Sequence, residues 1–236
     1  ARLLVRWVGD LLAPPVCALC DAPAPASPCD ACRARLAAAP ARRLIDGAPV
    51  LGAQPYVEPV AGAVRRLKYE RRVDVAPTLG RLLAPLGADL VRRPELALVP
   101  VPLHPHRLAE RGFNQAALLA RAVAGEWRRD PRAPRVGVAA LALRRTRATG
   151  QQARRSRGER LAALDGAFAV AAPTKLAGRA VVLIDDVVTT GATARACVAA
   201  LRGAGSEVVG VLAVCVAGDD GGVLPRALPA EPSPTR

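Results

Sequence analysis

Four cysteines stand close together near the start of the chain, as Cys17-Ala-Leu-Cys20 and Cys29-Asp-Ala-Cys32. A Cys-x-x-Cys turn aims two thiolates at one point. Two such turns complete a tetrahedral sulfur set with bonds of about 2.3 Å to zinc. The segment between the pairs is too short and too rich in proline to make a core, so metal binding would supply its folding energy. Two disulfides are the competing arrangement, and an iron–sulfur cluster also takes four cysteines. A single redox pair would not need the second turn. A structural zinc is the expectation, because nothing else in the chain suggests secretion. A reducing, cytoplasmic setting is expected for the same reason. Cys197 and Cys215 stand alone and read as core residues.

The second chemical cluster is the run from Val181 to Thr193, VVLIDDVVTTGAT. Four apolar residues make a strand, and Asp185 and Asp186 follow at its C-terminal end, where open parallel sheets bind ligands. A turn with Thr189, Thr190, Gly191 and Thr193 follows, and then a helix. Free backbone N–H groups, hydroxyls and a helix N-terminus converge there, which makes a phosphate cradle. Two acids beside it fit a ligand that also carries vicinal hydroxyls or a metal ion. A sugar phosphate has both halves. The apolar-Asp-Asp strand of P-loop ATPases is excluded, because no Gly-Lys pair exists in the chain. The GxGxxG dinucleotide fingerprint is absent as well.

These residues need elements to position them. Residues 1–12 carry apolar side chains at helical spacing, stopped by Pro14 and Pro15. Residues 33–48 read as an Arg/Ala/Pro linker. From about residue 49, strand patterns at Val50–Tyr56, Leu96–Val101, Val136–Leu143, Ala180–Ile184 and Val208–Val216 alternate with helical ones at Pro59–Arg71, Val75–Arg92, Asn114–Arg128 and Thr193–Gly203. That alternation predicts an α/β fold, a parallel sheet flanked by helices. The expected organisation is a helix and four-cysteine module over 1–48, an α/β domain over 49–217 and a frayed tail over 218–236. Residues 144–160 are polar and basic and read as a long exposed loop or arm.

The chain has 236 residues, of which 51% are hydrophobic, enough for a packed core and against global disorder. The longest apolar runs are about ten residues, against about 20 for a membrane-spanning helix, so no such span is expected. The net charge of +14 suggests nucleic acid, phosphate-bearing ligands or an anionic surface as partners. Only Lys68 and Lys175 are lysines, however, and so strong an arginine bias is equally what GC-rich coding produces. The few aromatic residues are scattered, which argues against a base-stacking platform.

LIDDVVTTGAT resembles the phosphoribosyl pyrophosphate (PRPP) motif of type I phosphoribosyltransferases. Together with Leu67-Lys68-Tyr69, the cysteine cluster and PVPLHPHRLAERGFNQ at residues 100–115, it resembles the ComF family. These proteins join a phosphoribosyltransferase-like domain to an N-terminal zinc module and are linked to DNA uptake in natural competence. The resemblance spans residues 14 to about 217. It implies a type I phosphoribosyltransferase fold with a small N-terminal zinc module built on the four cysteines, and Mg²⁺ accompanying PRPP. It also implies that Asp185 and Asp186 face the ribose hydroxyls and that Val188 to Thr193 hold the 5′-phosphate. The turn Pro100–His104, with Pro102, Leu103 and His104, matches the pyrophosphate loop, and Arg107 and Arg111 are its expected partners. Residues 144–160 match a hood over PRPP, with Thr149 and Gln152 at family positions. Two departures stand out. Ala163 lies near the position where members often carry Asn after the residue matching Arg160, and Arg155 replaces a usual leucine. Both fall where the acceptor should be selected.

Two functions follow as expectations. One is a glycosyl transfer in which an acceptor displaces pyrophosphate from ribose C1. The other is a non-catalytic sensor of PRPP or a related sugar phosphate, whose arginines Arg144, Arg147, Arg154 and Arg157 engage single-stranded DNA, or which engages a competence helicase. A homodimer is a further possible assembly. No general base is evident in the sequence, and His104 and His106 lack a third partner for a metal.

Overall fold

The run Ala180–Val188 (β7) is the centre of the sheet, and its sequence explains why. Val181, Val182, Leu183 and Ile184 are each fully buried, as expected of a strand covered by helices on both faces. Truncating such a side chain, Leu183→Ala for example, costs about 2–5 kcal/mol. The computed structural model describes residues 15–37, 39–87, 95–131, 133, 135–146 and 166–216. The helix expected over residues 1–12, the tail over 218–236 and most of the basic arm lie outside these residues.

Six strands form the main sheet: Ala41–Ile45 (β1), Ala48–Gln54 (β2), Glu95–Pro100 (β3), Arg135–Val138 (β4), β7 and Glu207–Val216 (β8). Their order is β1-β2-β8-β7-β3-β4. Only β1 runs antiparallel to its neighbour. Among the described residues, five longer helices accompany them: Val60–Tyr69 (α2), Ala76–Gly87 (α3), Pro105–Arg111 (α4), Gln115–Trp127 (α5) and Ala192–Gly203 (α6). Asp30–Ala34 (α1) is a single turn within the cysteine segment. Along β7 the side chains alternate between layers. Val182 and Ile184 join a core with Leu67 of α2, Leu79 of α3 and Leu119 of α5. Val181 and Leu183 join one with Val198 and Leu201 of α6. Helices α3 and α5 touch so closely that a Cβ at Gly80 would overlap Ala122. No described helix is long and apolar enough to cross a membrane.

Four expectations are corrected. The stretch 33–48 is not a linker throughout, because Ala41–Ile45 pairs with Ala48–Gln54 as an edge hairpin. Its turn is Asp46-Gly47, both with positive φ, 49° and 76°, the two-residue geometry that matches strand twist. The strand expected over Val136–Leu143 is two pieces. β4 stays in the main sheet, while Leu143–Arg145 (β5) leaves it to pair with Phe168–Val170 (β6). The Ala-Ala-Leu-Ala between them has little strand preference and forms a turn, closed by Ala142 N donating to Ala139 O at 3.1 Å. Arg144 and Arg145 therefore lie in a strand rather than a loop. Finally, β7 does not end at Ile184 but continues through both acids to Val188.

Candidate functional site

β3 and β7 are neighbours whose chains leave the sheet in opposite directions, β3 toward β4 and β7 toward β8. That divergence is the switch point at which open α/β sheets bind ligands. The pairing of β3 with β7 stops at Pro100↔Ile184. Beyond it, β7 keeps only β8 as a partner, with Asp185↔Ala213 and Val187↔Cys215. The acids thus sit where one flank of the strand has opened.

The loop after β3 borders this opening. Val101 N donates to Ile184 O at 2.9 Å, and Asn114 Nδ2 donates to Val101 O at 3.0 Å. Asn114 also caps α5, its Oδ1 accepting from Ala116 N at 2.9 Å. Pro102, Leu103 and His104 follow. The His104 side chain caps α4 by accepting from His106 N at 3.2 Å, and Pro105 fills the first helical position. Arg107 and Arg111 ride on α4, a helix with no buried residue. Arg111 lies over the Tyr69 ring, 5.1 Å from its centroid, and donates to Gln115 Oε1 at 3.1 Å. The loop is thus tied through Val101 to Ile184, the residue before Asp185, and both arginines ride on the helix that follows it.

Asp185 and Asp186 are 9% and 4% exposed. Asp185 Oδ1 accepts from Asp186 N at 2.8 Å. Desolvation, then the charge of Asp186, pushes the Asp185 carboxyl up to about 8. Lys68 of α2 reaches Asp186, its Nζ 2.9 Å from Oδ1. The second oxygen, Oδ2, is buried with no hydrogen-bond partner among the described residues. A carboxylate oxygen orphaned at this depth is an acceptor suited to a ligand hydroxyl or a cation. Cys197 and Cys215 sit nearby as core thiols. Burial, then Asp185 in one case and Asp186 in the other, raises both, Cys215 to about 12.

The turn after β7 has Thr189 and Thr190 exposed and Gly191 buried. Gly191 caps α6 with φ 79°. A Cβ there would stand 2.5 Å from Ile45 Cδ1 and 3.1 Å from Arg43 Nη2, so only glycine fits. The β1–β2 hairpin forms this wall. Asp46 at its tip pairs with Arg195, and its carbonyl accepts from Arg202 Nη1 at 2.6 Å. Ala192 opens the helix, its N–H donating to Thr190 Oγ1 at 3.4 Å. Thr189, Thr190 and Gly191 therefore connect Val188, the last residue of β7, to Ala192 and Thr193 at the start of α6. A phosphate there would meet the N–H groups that a first helical turn leaves without intrahelical partners.

Cys17, Cys20, Cys29 and Cys32 converge, with all four sulfurs within 4.8 Å of one another. Cys20 Sγ and Cys29 Sγ are 3.8 Å apart, and a tetrahedral site with bonds of about 2.3 Å requires about 3.8 Å between sulfurs. None of the four is in a disulfide. Burial opposes ionisation of Cys17, yet N–H donors from Cys29, Leu19 and Cys20 outweigh it and bring that thiol to about 6. Burial, then the sulfurs beside it, pushes Cys32 up. This donor set could hold a metal ion such as zinc, whose charge would relieve the crowding. The cluster is docked onto the sheet's helices. Arg66 Nη2 donates to Ala18 O at 3.1 Å, Arg72 Nη1 to Asp21 Oδ1 at 2.9 Å, and Ser27 Oγ lies 3.1 Å from Thr78 Oγ1.

The basic arm is only partly described. Arg144 is exposed on β5, and Arg145 lies 5.6 Å from the Phe168 ring centroid. Arg147, Arg154 and Arg157 lie outside the described residues, as do Thr149, Gln152, Arg155, Arg160 and Ala163. Two residues at the site have no role readable from sequence. Arg43 gives no signal within an arginine-rich stretch. Lys68 does give one, as one of two lysines in a chain that otherwise uses arginine.

The chain is similar to known proteins. Residues 108–229 match the phosphoribosyl transferase domain family. Competence protein F of Haemophilus influenzae is 32% identical over 161 residues, 66% of this chain and 67% of that protein. DNA utilization protein YhgH of Escherichia coli K12 is 32% identical over 210 residues, 85% of this chain and 83% of that protein. The protein of the same name from Salmonella typhi is 33% identical over the same shares.

Proposed function

The chain belongs to the ComF family of phosphoribosyl transferase-domain proteins, and from that premise we propose that it binds PRPP with Mg²⁺ at the C-terminal end of β7. One observation carries the reading. Two buried acids, one with an unpartnered oxygen, lie at the switch point directly before a Thr-Thr-Gly turn at a helix N-terminus. Asp185 and Asp186 take the ribose hydroxyls. The 5′-phosphate sits on the turn from Val188 to Thr193. The diphosphate lies toward Pro102, Leu103 and His104, with Arg107 and Arg111 as its cationic partners. Mg²⁺ travels with the diphosphate and supplies neutralisation of the charge on that group.

Transfer then follows from the ligand's own chemistry. The acceptor's lone pair forms a bond to ribose C1 as the bond from C1 to the diphosphate oxygen breaks. The electron pair leaves on diphosphate. Arginine beside the departing group stabilises charge that develops only in the transition state. In this reading the four-cysteine cluster holds a structural zinc, and the protein serves DNA uptake. Pyrophosphate release in the presence of PRPP, Mg²⁺ and candidate bases tests the transfer.

A second reading is sensing without transfer, favoured by the names of the relatives, which speak of competence and DNA utilization and not of a transferred group. PRPP would then occupy the same site while the arginine-rich segment engages single-stranded DNA. PRPP-dependent stabilisation without pyrophosphate release selects it.

A further inference from the structure

Lys68 belongs to neither the acid pair nor the phosphate turn. It stands on α2, in the layer that also carries the cysteine cluster. Its side chain is 18% exposed and that of Asp186 is 5% exposed, with Nζ 2.9 Å from Oδ1. The other oxygen of Asp186 is enclosed and has no partner among the described residues.

A buried carboxylate needs a partner of opposite charge or a hydrogen-bond donor. The Lys68 ammonium is that partner for one oxygen of Asp186, and it fixes the direction in which the remaining oxygen points. Lys68 is suited to this, since an ammonium is a compact point charge that occupies one oxygen and leaves the other free. Burial opposes its charge, but the carboxylates of Asp186 and Asp185 outweigh it and raise the Lys68 ammonium above its usual range. The lysine therefore remains a cation where it stands.

We propose that Lys68 is a positioning residue that holds Asp186 as a preset acceptor, so that the protein binds the hydroxyl face of a pentose phosphate without a divalent cation. The proposal rests on the sugar-phosphate reading of the site and deepens it. The sugar's recognition needs only protein charges, and Mg²⁺ is required only by ligands that carry a diphosphate.

The test is calorimetric binding of ribose 5-phosphate and of inorganic phosphate, each with Mg²⁺ omitted and with Mg²⁺ added. Wild type should bind ribose 5-phosphate equally well in both conditions. Lys68→Met should lose roughly tenfold or more in affinity for ribose 5-phosphate without Mg²⁺, the range of a hydrogen bond to a charged group. It should recover part of that loss when Mg²⁺ is added and should bind inorganic phosphate as wild type does. A merely structural defect would weaken both ligands and gain nothing from the metal. Lys68→Arg, which keeps the charge but whose fork can take both oxygens of Asp186, should also lose affinity for ribose 5-phosphate while binding inorganic phosphate as wild type does, so the test stands even if Lys68→Met fails to fold. A wild type that requires Mg²⁺ for ribose 5-phosphate, or a Lys68→Met protein that matches or exceeds wild type, overturns the role of Lys68. A wild type that binds neither ligand in either condition overturns the sugar-phosphate reading and this proposal with it.

Discussion

Arg66 and Lys68 stand two residues apart on α2 and hold different sites. Arg66 grips the cysteine cluster, its Nη2 donating to Ala18 O at 3.1 Å and its Nε 2.8 Å from Asp21 Oδ2. Lys68 grips the acid pair through Asp186. One helix turn therefore joins the two chemical clusters seen in the sequence. Purified protein should contain about one zinc per chain, because a structural site uses all four thiolates. Cys17→Ser or Cys32→Ser should lose the metal and expose residues 15–35 to proteolysis. Metal analysis and limited proteolysis check this. A metal-free wild type that resists proteolysis contradicts it.

The acid pair makes stability depend on pH with a definite sign. Asp185 is raised to about 8 in the folded protein, against about 3.9 for a free side chain. The folded state therefore holds this proton more tightly than the unfolded one. Its contribution is fully present below about pH 4 and is lost as pH rises toward 8. Asp185→Asn removes the titration. The variant should gain on wild type across pH 4–8 by on the order of 1 kcal/mol or more. Chemical denaturation of both proteins at pH 5 and pH 8 measures the difference, and a gap that does not widen with pH counts against the assignment.

Gly191 should tolerate no side chain. Any Cβ there meets Ile45 and Arg43, and the backbone is left-handed at φ 79°. Gly191→Val should cost about 1–3 kcal/mol from conformational strain alone. It should also abolish PRPP-induced stabilisation, because the clash with the hairpin displaces the turn that enters α6. Thr190→Trp should block the ligand with a smaller effect on the fold, since Thr190 is exposed. Thermal unfolding with and without PRPP separates the two effects.

The interior is legible in the sequence and the edges less so. β7 and β8 are long apolar runs, and α5 is bounded by Asn114 as its cap, so local chemistry and packing agree. The acids and the phosphate turn are readable because their spacing is itself the chemistry. The β1 strand is hidden because Arg42 and Arg43 break the alternation expected of a half-buried strand. Its turn, Ile45-Asp46-Gly47-Ala48, nevertheless carries an Asp-Gly hairpin signal. α4 is hidden by its own polarity, since a helix with no buried residue leaves no apolar stripe. The Lys68–Asp186 pair joins residues far apart in sequence. No local pattern encodes such a contact.

Any DNA binding should depend on the arginine-rich segment and not on the phosphate turn. Neutralising Arg144, Arg147, Arg154 and Arg157 together should weaken the grip on the DNA backbone. Every arginine that holds a phosphate should flatten the salt dependence by roughly one unit of slope when it is neutralised. Single-stranded DNA binding across a salt series, with PRPP-induced stabilisation as the control, checks this. If affinity and slope are unchanged, or wild type binds no DNA at about 50 mM salt, the nucleic-acid role of this segment is dropped.

Thermal unfolding with PRPP and Mg²⁺ shows whether the end of β7 is a PRPP site. A ligand that binds only the folded state raises stability by about 2.7 kcal/mol at a hundredfold excess over its dissociation constant. Wild type should show that upward shift in Tm, and the Asp185→Ala/Asp186→Ala protein should show none. An absent shift in wild type at low salt, or an equal shift in the double variant, contradicts the assignment.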